Sequence, residues 1–408
     1  MSPSCQHPFI TIILREANNV PRPILQPPNC LAHFLPNLAQ SPLTSMPVER
    51  VFSAELIDKL SCTKELDLGG MIRNLSLPET SPIRQKPANS SMGRIDILPP
   101  ELLVFILNLL DFQALSRLSP VSRRAKAMIE ALPAYQELLE HAPDVLVALG
   151  KTRLLQYHSA ALLRQTLRAN RCVSCLGSGA FLLLPTCERV CFECLHQNHA
   201  LRMTTLNIVR KCFHLTNKNL KKLPILHSIP GTYGVMLHVS RRKVYRLVSV
   251  KQVKQLAIEV HGTAENVANL MPTTPPQGMT WREFCIFKSF HEASLEPPGC
   301  DLSRMPERSN LVEDDFGGMA SIRMPYLSGT RADCGRLCKG CRLIDELHSQ
   351  GLLPADVLEH LAPRGIGPSR PLRALTTRLH FREGFVEHIK ACYGANRLLA
   401  RWKTEQMD

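Results

Sequence analysis

A mainly α-helical chain with a small α+β part is the fold class this sequence predicts, and three observations predict it. Leucines recur at three-to-four spacing between Leu98 and Leu167, two Cys-x2-Cys pairs stand close together just after that region, and the residues before it are rich in Pro, Ser and Asn without a sustained period. The expected order is a disordered N-terminal segment (1–93), a three-helix unit (94–131), a helical region (132–170), an α+β domain stabilised by zinc in a treble-clef-like arrangement (171–262), a partly disordered insertion (271–319), and a zinc-pinned C-terminal region with a final helix (320–404).

A chain of 408 residues is long enough for two or three domains and a real core. Only 5% of it is aromatic, so the cores are expected to be built from Leu, Val and Ile. The apolar run Phe9 to Leu14 has no Lys or Arg before it and opens on Pro8, which fits neither a secretory signal nor a spanning helix, and the run Leu102 to Leu110 contains Asn108. The expectation is an intracellular protein of the cytoplasm or nucleus, not secreted and with no membrane partner. In a reducing compartment fifteen Cys are candidate metal ligands rather than disulfides. The net charge of +14 is concentrated: Leu195 to Ile258 holds twelve Lys and Arg and no Asp or Glu. That stretch could attract nucleic acid, but no aromatic-interleaved RNA motif or base-reading helix accompanies it.

Along the chain, Val48 to Leu60 is the one amphipathic piece in the first segment. From Leu98 the pattern turns helical. Pro99 and Pro100 suit a first helical turn, Glu101 complements its positive dipole end, and Leu98, Leu102, Phe105, Ile106 and Leu109 form a stripe. Asp111 caps a second helix ending at Leu118, and Ser119-Pro120 opens a third that carries Val121, Arg123, Arg124 and Met128. So many Leu cannot all turn inward on some forty residues, so part of that surface should meet another chain.

Leu98-Pro99-x-Glu101-Leu102-Leu103, followed by Ile106, Leu109, Phe112, Leu115, Leu118 and Val121-Ser122-Arg123-Arg124, resembles an F-box over Ile95 to Ala131. The resemblance implies docking on the Skp adaptor of a cullin-based ubiquitin ligase, through Leu98, Pro99, Glu101, Leu102, Ile106, Leu109, Leu115, Leu118 and Val121. Where such motifs commonly carry an aromatic residue after the basic pair, this chain has Ala125 and Lys126, which implies reduced adaptor affinity.

Tyr135 to Ala169 continues as packing helices, with Gly150 expected between two of them. Then come Cys172-Val-Ser-Cys175 and, after fifteen residues, Cys191-Phe-Glu-Cys194. Each pair wraps one edge of a tetrahedron, four thiolates suit a borderline-soft divalent ion, and the residues between them can form a hairpin. Gly177 and Gly179 are the expected turn residues, and a helix is expected over His196 to Arg202. Cys187 could replace Cys191 or sit in the hairpin; His196, His199 and Cys212 read as surface or core residues. A closed four-thiolate site is a scaffold, with no open position for substrate.

Farther on, a capped turn is expected over Thr216 to Leu223, two joined strands over Val235 to Val239 and Val244 to Val250, and a helix over Lys251 to His261. Together with the preceding motifs, Pro230-Gly231-Thr232-Tyr233 and the trailing helix make the chain similar to a group of fungal F-box proteins, a resemblance that implies no substrate. Trp281 to Phe290 should form a helix within the insertion, and Ala320 to Tyr326 a strand. The second cluster, Cys334-x3-Cys338-x2-Cys341, lacks a nearby partner pair, but a helix over Arg382 to Trp402 would offer His388 and Cys392 on one face. Cys338, Cys341, His388 and Cys392 would complete a Cys3His site, with Cys334 able to stand in for Cys338.

No Gly-rich phosphate loop, His-Glu-x-x-His or nucleophile elbow is present in the sequence, and ligands split this far apart do not suit a RING cross-brace. The expected protein is a non-catalytic receptor with one or two structural zinc ions, an adaptor and cullin as partners, and an unknown protein substrate. A zinc-containing nucleic-acid-binding protein is the alternative.

Overall fold

The computed structural model describes residues 54–62, 72, 91–233, 239–240, 243–295, 316–362 and 367–405. The remainder of the expected disordered segment, most of the strand expected from Val235 and part of the insertion lie outside these residues.

Helix α1 (Ala54–Leu60) falls inside the amphipathic piece, and the chain continues into strand β1 (Ser61–Cys62), which the sequence reading did not anticipate. The next helices are α2 (Pro100–Leu109), α3 (Phe112–Leu118) and α4 (Arg123–Glu130). Asp111 caps α3 by accepting a hydrogen bond from the Ala114 amide at 2.8 Å. The third helix starts later than Ser119-Pro120: a 3-10 turn spans Ser119–Val121, and Ser122 in an extended conformation caps α4 through the Ala125 amide at 3.0 Å. Ser122 wins because its hydroxyl satisfies an orphan amide that Pro120 leaves unaddressed.

Helices α5 (Pro133–His141), α6 (Pro143–Lys151) and α7 (Ala160–Leu167) follow. Gly150 lies in the last turn of α6, just before the chain breaks on its way to α7; a further break falls at Ala142-Pro143, where proline cannot continue the hydrogen bonding of α5 but suits the first turn of α6. Glu137 ties α5 to α7 through paired bonds to Arg164 and Arg168 at 2.8–3.0 Å. These contacts hold its carboxyl at about 2, below the usual range, with the Arg168 hydrogen bond the leading cause.

Strands β2 (Phe181–Leu183) and β3 (Glu188–Val190) form the hairpin expected between the cysteine pairs, and α8 (Phe192–Gln197) begins on Cys191. The chain then passes through β4 (Met203–Thr205), α9 (Leu206–Phe213), α10 (Asn217–Leu220), β5 (Leu226–His227), β6 (Gly231–Thr232), β7 (Val239–Ser240), β8 (Arg246–Ser249) and α11 (Val250–His261). Here the pairing differs from the expected hairpin. β8 lies between β4 and β5, whereas β7 pairs with β6. The three residues of β8 after Arg246 are buried, and a central position covers them as an isolated hairpin could not.

Helices α12 (Ala264–Ala268) and α13 (Trp281–Glu292) belong to the folded body. Thr280 and Glu283 form a capping box at the start of α13, whose Phe287 and Phe290 join Val209, Phe213, Val253 and Leu256 in a second core. That part of the insertion is therefore core-forming. After α14 (Phe316–Met319), β9 (Ser321–Arg323) pairs antiparallel with β2 and completes the sheet β3-β2-β9. The main core is continuous from Leu107 and Leu115 through Leu163 and Leu182 to Ile322 and Phe381.

The chain closes with β10 (Tyr326–Ser328), β11 (Arg331–Asp333), β12 (Leu337–Cys338), α15 (Lys339–Ser349), α16 (Ala355–Leu361), α17 (Ser369–Thr377), α18 (Arg382–Ala391) and α19 (Tyr393–Glu405). The single helix expected over Arg382 to Trp402 is two, because Cys392 between them is extended (ψ 113°). That one residue re-aims α19 towards α15, where Gly340 meets Gly394. A Cβ on either glycine would collide with backbone of the facing helix, so only glycine allows this approach. β1 pairs antiparallel with β12, placing Ser61 opposite Cys338, and Ile57 and Leu60 enter a third core with Ile344, Phe385 and Ile389.

Arg189 joins several of these elements. Buried and without an acidic partner among the described residues, it donates to the carbonyls of Thr166, Gly179 and Met324 at 2.7–3.0 Å, of Leu167 at 3.1 Å, and of Pro325. Burial pushes it down to about 9. Its planar fork serves α7, the loop before β2 and the segment after β9 at once.

Candidate functional site

The first cysteine group is built within one short stretch. Cys172 and Cys175 sit in a tight loop, closed by a bond from the Cys172 amide to the Gly177 carbonyl at 2.6 Å and from the Leu176 amide to the Cys172 carbonyl at 3.0 Å. The left-handed residue of that loop is Leu176 (φ 57°), while Gly177 and Gly179 are not in that region. Cys191 caps α8, its sulfur accepting from the Cys194 amide at 3.4 Å. The β2–β3 hairpin brings the second pair under the first, and the four sulfurs lie within 4.8 Å of one another. All four are buried, and Cys175 and Cys191 are 3.7 Å apart. Zn–S bonds of about 2.3 Å place tetrahedral thiolates about 3.8 Å apart, so the donor set fits such an ion. Four thiols this close cannot all ionise unaided. Hydrogen bonding from Cys172 leads in pushing Cys194 up and in pulling Cys175 down, and a cation would release that conflict.

The second group is assembled from distant pieces. β12 and the start of α15 supply Cys338 and Cys341, α18 supplies His388, and the break before α19 supplies Cys392. The Nε2 of His388 is 3.2 Å from the Cys341 sulfur, and Cys392 is 3.9 Å from Cys338 and 4.0 Å from Cys341. The three cysteines are buried and the imidazole is half-buried. His380 stacks on His388 with ring centroids 4.2 Å apart, fixing that imidazole from outside. Contact with Cys338 leads in pushing Cys341 up, the same conflict as in the first group. Each group thus offers four donors, consistent with one or two structural metal ions.

The doubtful ligands fall outside both groups. Cys187 is buried beside Thr166, whose Oγ1 is 3.5 Å from its sulfur, and burial pushes the thiol up to about 11. Cys334 is exposed, and its carbonyl accepts from Arg323. His199 is driven down to about 4, chiefly by burial, and Cys212 is also raised by burial. The helix expected over His196 to Arg202 instead begins at Phe192 and gives way to a 3-10 turn at His199–Leu201.

The helices before these groups present an apolar surface. On α2, Leu103 and Leu107 turn inward, while Leu102, Ile106 and Leu109 face solvent with Leu98 before them. Phe105 is 62% exposed and Ile97 83%. Pro99 and Glu101 are exposed on the same turn, Val121 is 71% exposed, and Leu118 is half-buried. An apolar stripe of this length on a folded helix calls for a covering partner.

Residues 95–136 match the family model for the F-box domain. The chain carries an F-box. No curated protein and no solved structure matches it. With the F-box in place, two sequence-based assignments change. Leu115, placed with the partner-facing residues, is 0% exposed and belongs to the core: Asp111 caps α3 so that Phe112 and Leu115 point at α4 and α5, and Phe112 stacks on Tyr135 at 4.8 Å. Ala125 is likewise 0% exposed, so the departure there lies inside the F-box and not on its outer face. Phe105 and Ile97 are exposed beside these residues, and Phe105 continues the stripe of Leu102, Ile106 and Leu109.

Of the basic stretch, Arg202 is buried, Lys251 pairs with Glu188 at 2.6 Å, Lys254 donates to the carbonyls of His291 and Ala293, and Lys211 lies 3.5 Å from Glu283. Arg241 and Arg242 lie outside the described residues. Among the described residues no helix is long and apolar enough to cross a membrane.

Proposed function

We propose that this chain is the substrate-receptor subunit of a Skp-cullin-F-box ubiquitin ligase. The observation that carries the reading is the outward apolar stripe of α2 inside the segment that matches the F-box. Leu98, Pro99, Glu101, Leu102, Ile106, Leu109, Leu118 and Val121 would meet the Skp-type adaptor, joined by Phe105 and Ile97; the adaptor would bring the cullin. The two four-donor groups would each hold a structural zinc, with Cys172, Cys175, Cys191 and Cys194 around one ion and Cys338, Cys341, His388 and Cys392 around the other. Neither set leaves a coordination position for substrate, which supports a non-catalytic role. The metal-pinned remainder would hold a protein substrate near the ubiquitin carrier and raise its effective concentration there. Thiolate ligation suits the reducing interior of the cell, cytoplasm or nucleus. The nucleic-acid reading has less behind it, because several charges of the basic stretch are spent on internal contacts.

Co-elution with purified Skp adaptor tests the reading. Leu102→Asp with Ile106→Asp alters exposed positions, so the fold and the metal content should persist. Binding should weaken about a thousandfold, as for two hot-spot losses of about 2 kcal/mol each. Unchanged co-elution of the double variant would refute the assignment.

A further inference from the structure

Between the two cysteine groups lies a cavity of about 910 Å³, within the size range of ligand pockets. One wall is the loop of the first group, including Leu176, Gly177 and Ser178; the other is the segment entering the second group and the start of α18. Five arginines line it against three carboxylates.

The carboxylates are largely committed. Asp333 accepts from the Gly335 amide at 2.8 Å and from the Arg382 amide at 2.5 Å, and Glu387 pairs with Lys390 at 2.7 Å. Two of the arginines are also spent: Arg323 donates to the Cys334 and Gly335 carbonyls, and Arg336 reaches Asp58 at 3.1 Å. Even so, the Nε of Arg336 is buried with no acceptor. Arg171, Arg331 and Arg382 are exposed, and their guanidinium groups have no acceptor among the described residues. Three free forks thus converge where Glu383 is the one uncommitted acid.

We propose that this groove binds an acidic peptide segment, its carboxylate or phosphate groups held by Arg171, Arg331 and Arg382. The inference rests on the receptor reading only in calling that peptide a substrate. A peptide fits better than a nucleic acid for two reasons. Among the described residues β11 pairs only with β10, and its Arg331 and Ala332 are exposed, so its other edge can take an added strand. Of the aromatic rings at the site Phe381 is buried and only the half-buried Tyr326, 5.2 Å from it, reaches the surface, so the site has no row of rings for stacking successive bases. Guanidinium forks match carboxylate and phosphate alike, so the donor chemistry is shared between glutamate and phosphoserine.

The experiment uses the full chain and fluorescence anisotropy with four probes: a labelled Gly-Glu repeat peptide, its phosphoserine and glutamine counterparts, and a single-stranded oligonucleotide. Binding of the glutamate or phosphoserine peptide without the glutamine one is expected, and the tighter of the two names the source of the charge. R171E/R331E/R382E should lower that affinity about tenfold or more while keeping metal content and Skp co-elution, which shows that the variant is folded; Arg331→Glu alone serves if it is not. Equal binding of the glutamine peptide, tighter binding of the oligonucleotide, or an unchanged affinity in the variants would overturn the proposal. Failure of Skp co-elution with intact peptide binding would sink the receptor reading alone.

Discussion

The two cysteine groups have nearly the same chemistry and opposite construction. The first draws its ligands from Cys172 to Cys194, with a hairpin between the pairs, and its residues sit in the main core together with Leu107 and Leu115 of the F-box. The second needs β12, α15, α18 and the break before α19, and it carries β1 on its outer edge. A local site can organise the body around it, whereas an assembled site can close only after its surroundings have been positioned. The two are joined through the main core, which takes in Leu337 of β12 and Phe381 at the start of α18, and through polar contacts: Thr377 on α17 donates to Glu193 on α8 at 2.9 Å, and Arg189 reaches from the first sheet to the segment after β9.

Ligand replacement gives the largest expected difference. A closed zinc site can contribute roughly 10–16 kcal/mol of apparent folding free energy, as much as a whole domain's net stability. Cys191→Ser should therefore abolish the cooperative fold, read by circular dichroism and by loss of adaptor co-elution. Cys392→Ser should lower the zinc content from two to one and leave adaptor co-elution intact. If both variants unfold the whole chain, the groups are not separable and the contrast drawn above is wrong.

A smaller effect is expected at the crossing of α15 and α19. Gly394→Val inserts methyl groups where backbone meets backbone, at a cost on the order of 1–3 kcal/mol. The melting temperature should fall, and the second metal, but not the first, should become easier to remove with a chelator. Smallest should be the loss of residues 1–62, which uncovers the second group by removing Ile57, Leu60 and β1. Metal release from that group should speed up about tenfold, the equivalent of roughly 1.4 kcal/mol. Release from the first group should not change; an equal acceleration at both would show that the N-terminal element supports the whole body.

The same contrast explains what could be read from the sequence. Cys-x2-Cys pairs announce themselves because a tetrahedral edge fixes their spacing, and the four-residue gap between His388 and Cys392 suggested a shared face. The structure does bring both side chains beside Cys338 and Cys341, but not through one helix face, since Cys392 lies between two helices and not within one. Helix α2 hid its orientation because both of its faces are apolar: the period of Leu102, Ile106 and Leu109 marks the outer stripe, while Leu103 and Leu107 form the inner one. Leu115 turns inward instead of towards a partner, because a leucine does not by itself reveal which side of a short helix it occupies. The pairing of β9 with β2 and of β8 with β4 and β5 spans long stretches of chain, and no local signal encodes such contacts.

The pairing of Ser61 with Cys338 also bears on the order in which a nascent chain can mature. Helices α2 to α7 have all been synthesised once residue 167 is made, so the apolar stripe of α2 can form early. The second group must wait for residue 392, and synthesis at about 5–20 residues per second puts roughly 10–45 s between the two events. Until residue 338 is made β1 has no strand to pair with, and the third core that receives Ile57 and Leu60 is completed only with Phe385 and Ile389. A chain halted in between would offer the apolar stripe of the F-box while lacking the complete arginine-lined groove, so occupancy of the second site distinguishes a finished chain from an interrupted one.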